Sequence, residues 1–123
     1  MNPLKGVVVC HGDLAPSLVR STEEITGVHD VLTAISNTGC NRDQLEQRIV
    51  AAVGDQPAVL FVDMPSGSCL FAAARRLANL SGTKMVTGVN LAMLLDFVFH
   101  RGLTPEEAAA RAIEIGAKAI TVR

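Results

Sequence analysis

Trp and Tyr are absent from this 123-residue chain, and only four Phe are present. That removes stacking on bases or sugar rings as a principal means of binding. Basic clusters are missing as well: 11 Lys and Arg stand against 12 Asp and Glu, a formal charge of −1, and no basic run exceeds the pair Arg75-Arg76. Such a balance implies neither a nucleic-acid partner nor an anionic lipid surface. Cysteine is scarce and odd in number, with Cys10, Cys40 and Cys69 far apart. The spacing fits neither a disulfide framework nor a paired zinc-ligand motif. Long apolar runs are lacking: none approaches the roughly 18 to 20 residues of a membrane-spanning helix, and the run after Lys5 is too short for a signal-peptide core. The expectation is a cytoplasmic protein with no direct membrane insertion. No repeat, linker or low-complexity stretch divides the sequence, and its length suits one core, so a single domain over residues 1–123 is expected.

What the sequence does have is small aliphatic residues, arranged as short β-branched runs alternating with helical spacings. Gly6 to Cys10 reads as a strand buried on both faces, and it ends at His11-Gly12. Leu14 to Ile25 follows helical spacing and stops at Gly27, and Val31 to Ile35 reads as a second strand. Asn41 with Gln44 marks a capped helix start, whose apolar face Leu45, Ile49, Val50 and Val53 runs up to Gly54. Ala58 to Val62 is a third strand. The break from Asp63 to Gly67 leads through Ser68 into a helix from Cys69 to Leu80, and Lys84 to Val86 makes a fourth strand after the turn at Gly82. Asn90 opens a helix reaching about His100 that is apolar nearly all round, more than one sheet face should need. Thr104-Pro105-Glu106-Glu107 combines a cap, a first-turn proline and a capping-box glutamate, so a helix should run to Gly116 before a last short strand over Ala119 to Val122.

Repeated strand and helix units of this length predict an α/β doubly wound fold, with a mostly parallel sheet, helices on both faces, and strand order 2-1-3-4 plus the short C-terminal strand. In that order the winding reverses between strands one and three. His11 follows strand one, and Asp63 and Ser68 follow strand three, so the three polar groups should meet in one crevice. An imidazole takes a phosphoryl group on an unprotonated ring nitrogen, and a carboxylate on the other nitrogen fixes the tautomer that exposes it. Asp63 has that position. Ser68, with nearby backbone N–H groups, could hold phosphate oxygens, and Gly12 and Gly67 would let backbone approach the anion. Each residue also has a structural use open to it: His11 can satisfy loop backbone, Asp63 can cap a turn and Ser68 can cap a helix. His29 and His100 have no partner in the sequence, and no ligand set for a metal can be assembled around His11. Cys10 should pack as a small hydrophobe. Cys69, in the first turn of a helix, is a candidate for a lowered thiol pKa and for a minor nucleophile pairing with His11.

At these residues the chain resembles the IIA components of the mannose/fructose/sorbose family of the sugar phosphotransferase system (PTS). Val7-Val8-Val9-Cys10-His11-Gly12-Asp13-Leu14-Ala15 is similar to the family's first strand and its "HG-x-LA" segment. Asp63 to Ser68 occupies the place of a "D-x-x-G-G-S-P" loop, and Gly88-Val89-Asn90-Leu91-Ala92-Met93-Leu94 that of "GVNLPML". The resemblance covers nearly the whole chain and implies a phosphotransferase; no cofactor and no metal are expected. It implies that His11 accepts a phosphoryl group from the histidine-containing phosphocarrier protein and passes it to a IIB partner in sugar uptake, or serves a regulatory relay. Asp63 would orient the ring, and Ser68, Gly67 and Gly12 would bind phosphate. It also implies a homodimer joined through a C-terminal strand and the helix after "GVN". Departures lie beside the site, where Ser66 stands for a glycine, Cys69 for a proline and Pro65 fills a position that is usually not proline; in the "GVNLPML" segment Ala92 stands for a proline.

Three other readings compete. A response-regulator receiver would be phosphorylated on Asp63, but it places an acidic pair after strand one where this chain has Cys10-His11-Gly12-Asp13. The phosphotransferase subunit of dihydroxyacetone kinase shares the general fold, but resembles "HS" after strand one where His11-Gly12 stands here. A non-catalytic interaction module would use His11 and Asp63 only as a structural bond.

Overall fold

The computed structural model describes residues 3–77 and 82–123. Along the chain run β1 (Lys5–Cys10), α1 (Leu14–Thr26), β2 (Leu32–Ser36), α2 (Arg42–Val53), β3 (Ala58–Val62), α3 (Ser68–Leu77), β4 (Thr83–Thr87), α4 (Leu91–Phe97) and α5 (Pro105–Lys118). The four strands form one sheet in the order β2-β1-β3-β4, and every pairing is parallel. This is the expected doubly wound α/β arrangement, in which the winding reverses between β1 and β3.

Alternation along the central strands splits the core into two layers. Val8 and Cys10 of β1 with Val59 and Phe61 of β3 pack under α1, α4 and α5, whereas Val7, Val9, Leu60 and Val62 pack under α2 and α3. All of these side chains are buried, as continuous Val-rich runs require when helices cover both faces. Phe61 meets Phe97 edge to face at a centroid distance of 5.1 Å. Gly6 makes the neighbouring approach possible, because a Cβ there would lie 2.5 Å from Leu32 Cδ2 and 2.8 Å from Phe97 Cε2.

Local signals set the helix ends. Asn41 and Gln44 form a reciprocal capping box on α2, and Thr104 and Glu107 form another on α5, with Pro105 in the first turn. Gly27 closes α1 in the left-handed conformation, its N–H donating to Glu23 O. Asn90 caps α4 by accepting from Met93 N–H, and its Nδ2 donates to Gly116 O at 2.9 Å, tying α4 to α5. Helix α3 begins one residue earlier than expected; the expected end at Leu80 lies outside the described residues.

Two expectations need correction. The helix after Asn90 does not reach His100. It stops at Phe97 and tightens, with His100 N–H donating to Phe97 O. Its apolar surround is largely accounted for within the chain: Met93, Leu94, Phe97 and Val98 are buried between the sheet and the helices α1 and α5, and Phe99 alone of its large apolar residues is exposed. The C-terminal strand over residues 119–122 is not formed. Helix α5 continues past Gly116 to Lys118, and Ile120 N–H still donates to Ala117 O, which consumes the segment. Among the described residues no sheet edge pairs with what remains, and a strand without a ladder partner has no reason to hold its shape. Ile120 and Val122 are left 79% and 96% exposed. Among the described residues no helix is long and apolar enough to cross a membrane.

Candidate functional site

The carboxyl ends of β1 and β3 are neighbours, since Val9 pairs with Val62. The residues that leave these ends therefore face each other across the point where the winding reverses. His11 leaves β1 and Asp63 leaves β3. Asp63 Oδ2 accepts the His11 backbone N–H at 2.8 Å and lies 2.7 Å from His11 Nδ1, while Oδ1 accepts Met64 N–H at 3.0 Å. With Asp63 ionised, the short contact makes Nδ1 the protonated nitrogen and leaves Nε2 with a free lone pair. The Asp63 side chain is 9% exposed and that of His11 37%, so the carboxylate is sheltered and the ring is reachable.

Burial by itself would raise the Asp63 pKa. The hydrogen bonds from His11 backbone and ring, the His11 charge and the Met64 N–H outweigh it, and the carboxyl is held below its ordinary value. Asp63 is thus a stable carboxylate throughout the neutral range, suited to holding the ring in one orientation.

The exposed side of the ring is framed by the start of α3. Ser68 Oγ lies 3.4 Å from His11 Nε2. Gly67 has φ +93°, and a Cβ on it would come within 3.3 Å of both Cε1 and Nε2 of His11, so the residue type leaves open the space in front of the nitrogen. Gly12, also at positive φ, turns the chain after His11 and presents its N–H to Asn37 Oδ1 at 3.1 Å. All five residues singled out from the sequence, His11, Gly12, Asp63, Gly67 and Ser68, therefore meet in one place.

Asn37 was not among them. It follows β2, whose Ser36 pairs with Cys10, and so emerges beside His11. Besides accepting from Gly12, it directs Nδ2 to Ser68 Oγ at 3.4 Å. The strand order 2-1-3-4 could have pointed to it, because β2 borders β1 on the side opposite β3.

Cys69 departs from its expectation. Its thiol is fully buried beneath the site and, despite the helix start, burial and then the nearby Asp63 carboxylate push its pKa up to about 11. A protonated, enclosed thiol is a poor nucleophile, which removes the reason for pairing it with His11. Donor atoms of His11, Asp63 and Cys69 do lie within 4.8 Å of one another, a proximity the sequence did not reveal. Within that group His11 Nδ1 and Asp63 Oδ2 are spent on each other and the Cys69 thiol is protonated, while His11 Nε2 stays open. Cys10 packs as a small hydrophobe, its pKa pushed to about 12 chiefly by burial.

A doubly wound parallel sheet carrying a reachable imidazole, oriented by a sheltered carboxylate where the winding reverses, defines a class of α/β protein built around one histidine. Within that class the chain belongs to the family described as the PTS system fructose IIA component (EIIA-man), which matches residues 5–114. It is thus a component of a sugar phosphotransferase system of the mannose-family IIA type, whose members act in phosphotransfer. Solved structures agree in fold. The mannose/sorbose-specific IIA subunit from Enterococcus faecalis superposes with a TM-score of 0.88 at 21% identity, covering 99% of this chain and 96% of that one. The EIIA component from Streptococcus agalactiae gives 0.89 at 19% identity, covering 97% and 96%. The PTS IIA protein associated with the fucose utilization operon of Streptococcus pneumoniae gives 0.75 at 21%, covering 99% and 96%. No curated protein matches the chain by sequence.

Proposed function

We propose that the protein is a cytoplasmic phosphohistidine carrier, one domain over residues 1–123, that takes a phosphoryl group on His11 Nε2 and hands it on. The observation that carries this reading is the 2.7 Å contact between His11 Nδ1 and Asp63 Oδ2 with the opposite nitrogen open toward Ser68. In the step, the Nε2 lone pair attacks the phosphorus of a phosphohistidine on the donor, the histidine-containing phosphocarrier protein. The P–N bond to the donor breaks, its electron pair returns to the donor imidazole, and a new P–N bond forms on His11. The Nδ1 proton stays in place. The ring gains positive character, which the Asp63 carboxylate stabilises without itself taking the proton. Ser68 Oγ–H and the backbone at Gly67 then face the phosphoryl oxygens, beside the free N–H groups of the first turn of α3, and Gly12, its N–H held by Asn37, turns the chain so that backbone lies close to the group. A IIB partner would draw the group off by the same step in reverse.

Phosphorylation of Asp63 itself, as in a receiver, is disfavoured by its surroundings: Oδ2 is engaged twice by His11 and Oδ1 by Met64. A homodimer fits the exposed Phe99, Ile113, Ile120 and Val122, which a second copy would cover, with residues 119–122 becoming a strand once a partner offers an edge.

The test is incubation with phosphoenolpyruvate, the general phosphotransferase enzyme and the cognate histidine carrier, read by intact mass. One acid-labile, base-stable phosphoryl group is expected on the wild type and none on His11→Ala. Label retained in His11→Ala and lost in Asp63→Asn would select the receiver reading instead.

A further inference from the structure

We propose that Asn37 is a phosphoryl-binding residue, its side-chain amide donating to an oxygen of the group carried on His11 Nε2; the inference rests on the phosphohistidine reading and adds to it a donor from the loop after β2.

The geometry fixes which end of the amide faces the site. Asn37 Oδ1 accepts Gly12 N–H at 3.1 Å, so Nδ2 must point the other way, and it points at Ser68 Oγ, itself 3.4 Å from His11 Nε2. Both of these 3.4 Å separations exceed the usual 2.8 to 3.0 Å of a well-formed bond, so the three polar groups ring a space more than they satisfy one another. At most one of the two Nδ2 hydrogens is spent on Ser68. A phosphoryl group on Nε2 would bring three acceptor oxygens and nearly two negative charges to that space, and an amide N–H aimed at it would form a charge-assisted bond.

The loop that carries Asn37 is held from several sides. Ser36 Oγ donates to Gly12 O and accepts Thr38 N–H, Arg48 Nη1 donates to Ser36 O and Thr38 O, and Asn37 N–H donates to Cys10 O. The donor is therefore in place before the group arrives, the condition under which an electrostatic contact contributes most to a transfer step. A plain structural use remains to be distinguished, in which Asn37 serves only as the acceptor for Gly12 N–H.

Two substitutions separate these uses. Asn37→Asp keeps an acceptor for Gly12 and removes the donor; Asn37→Ala removes both. His11 would be phosphorylated in two ways, by the carrier protein and by phosphoramidate, a small phosphoryl donor that needs no partner. A phosphoryl-binding Asn37 makes Asn37→Asp at least as slow as Asn37→Ala, each about tenfold or more below wild type, and shifts the Asn37 side-chain amide resonances when His11 of the wild type is phosphorylated. Asn37→Asp at the wild-type rate with Asn37→Ala impaired, or amide resonances that do not move on phosphorylation, would overturn it. The phosphoramidate arm keeps the two ideas apart: absence of transfer from the carrier protein counts against the carrier reading, while the chemically phosphorylated protein still reports on Asn37.

Discussion

The two ends of the sheet are closed by different means. At the amino end backbone meets backbone: Lys5 N–H donates to Pro57 O, Gly6 N–H to Val31 O, Ala58 N–H to Gly82 O, and Leu4 N–H to Arg101 O at 2.8 Å. At the carboxyl end side chains take up much of that role, with Asp63 accepting from His11 and Met64, Asn37 from Gly12, and Ser36 from Thr38. Backbone pairs depend little on residue type. Side-chain pairs depend on it entirely, and they leave polar groups anchored by one atom with another free to face a ligand. The amino end should therefore govern stability and the carboxyl end chemistry, and each substitution below either sharpens that division or breaks it.

The largest effect belongs to His11→Ala, which removes the nitrogen proposed to accept the phosphoryl group. Phosphoryl transfer should be abolished, while stability changes by about 1 kcal/mol or less, because the residue-11 N–H still reaches Asp63. Phosphate counting and a urea titration on the same preparation check both halves. A large loss of stability would show that the ring holds the carboxyl end together and would blur the division.

Asp63→Ala comes next and should affect both quantities. Without the carboxylate the ring loses its fixed tautomer, and transfer should slow about a hundredfold. The backbone N–H groups of His11 and Met64 and the ring Nδ1–H all lose their acceptor, costing about 1 to 3 kcal/mol. The sign with pH follows from the lowered Asp63 pKa. A folded value below the unfolded one means that the carboxylate's contribution is complete above the unfolded value, about 3.9, and is lost as pH falls through the folded value. The stability gap between wild type and Asp63→Ala should therefore stay level from neutral pH down to about 4 and close below it. Urea midpoints at several pH values measure it; a gap that closes already near neutrality would mean that another group carries the linkage.

How much of this was legible from the sequence depended on how local each signal is. The capping boxes at Asn41 and Thr104 and the stop at Gly27 were readable because each cap lies within four residues of the group it satisfies. The His11–Asp63 pair spans 52 positions, yet it was readable because both residues follow strands that the winding makes neighbours. Asn37 escaped notice: its role depends on the register of β2 against β1, and an Asn after a strand otherwise reads as a turn residue. Cys69 misled because a helix start lowers a thiol pKa only when the thiol is open to water, and here burial dominates. The alternation Ile120, Thr121, Val122 reads as a strand, but pairing is a property of two segments, and among the described residues no strand lies beside it.

Gly67→Ala probes the carboxyl end more gently. The backbone sits at φ +93°, and the added Cβ would stand 3.3 Å from His11 Nε2 and from Met64 Cε. Strain at positive φ should cost about 1 to 2 kcal/mol. On the proposed function transfer should fall severalfold, because the methyl group occupies the approach to His11 Nε2. Thermal unfolding and transfer rates would show whether the two losses appear together; unchanged transfer would mean that the phosphoryl group approaches from another side.

Arg101→Ala tests the opposite end, where the effect on transfer should be smallest. Arg101 Nε donates to Leu4 O at 2.7 Å and its backbone O accepts Leu4 N–H, so one residue satisfies both main-chain groups of buried Leu4. Truncation leaves the Leu4 carbonyl without its charged donor and strips the packed stem, a loss of about 1 to 2 kcal/mol. His11 lies beyond the far end of β1, six residues or about 20 Å along the strand, so the transfer rate should equal that of wild type at temperatures where the variant is folded. Equal rates with a lowered unfolding midpoint would keep stability and chemistry at separate ends of the sheet. A slowed transfer in a fully folded variant would mean that the position of β1 is set from its amino end, and that the His11–Asp63 distance depends on it.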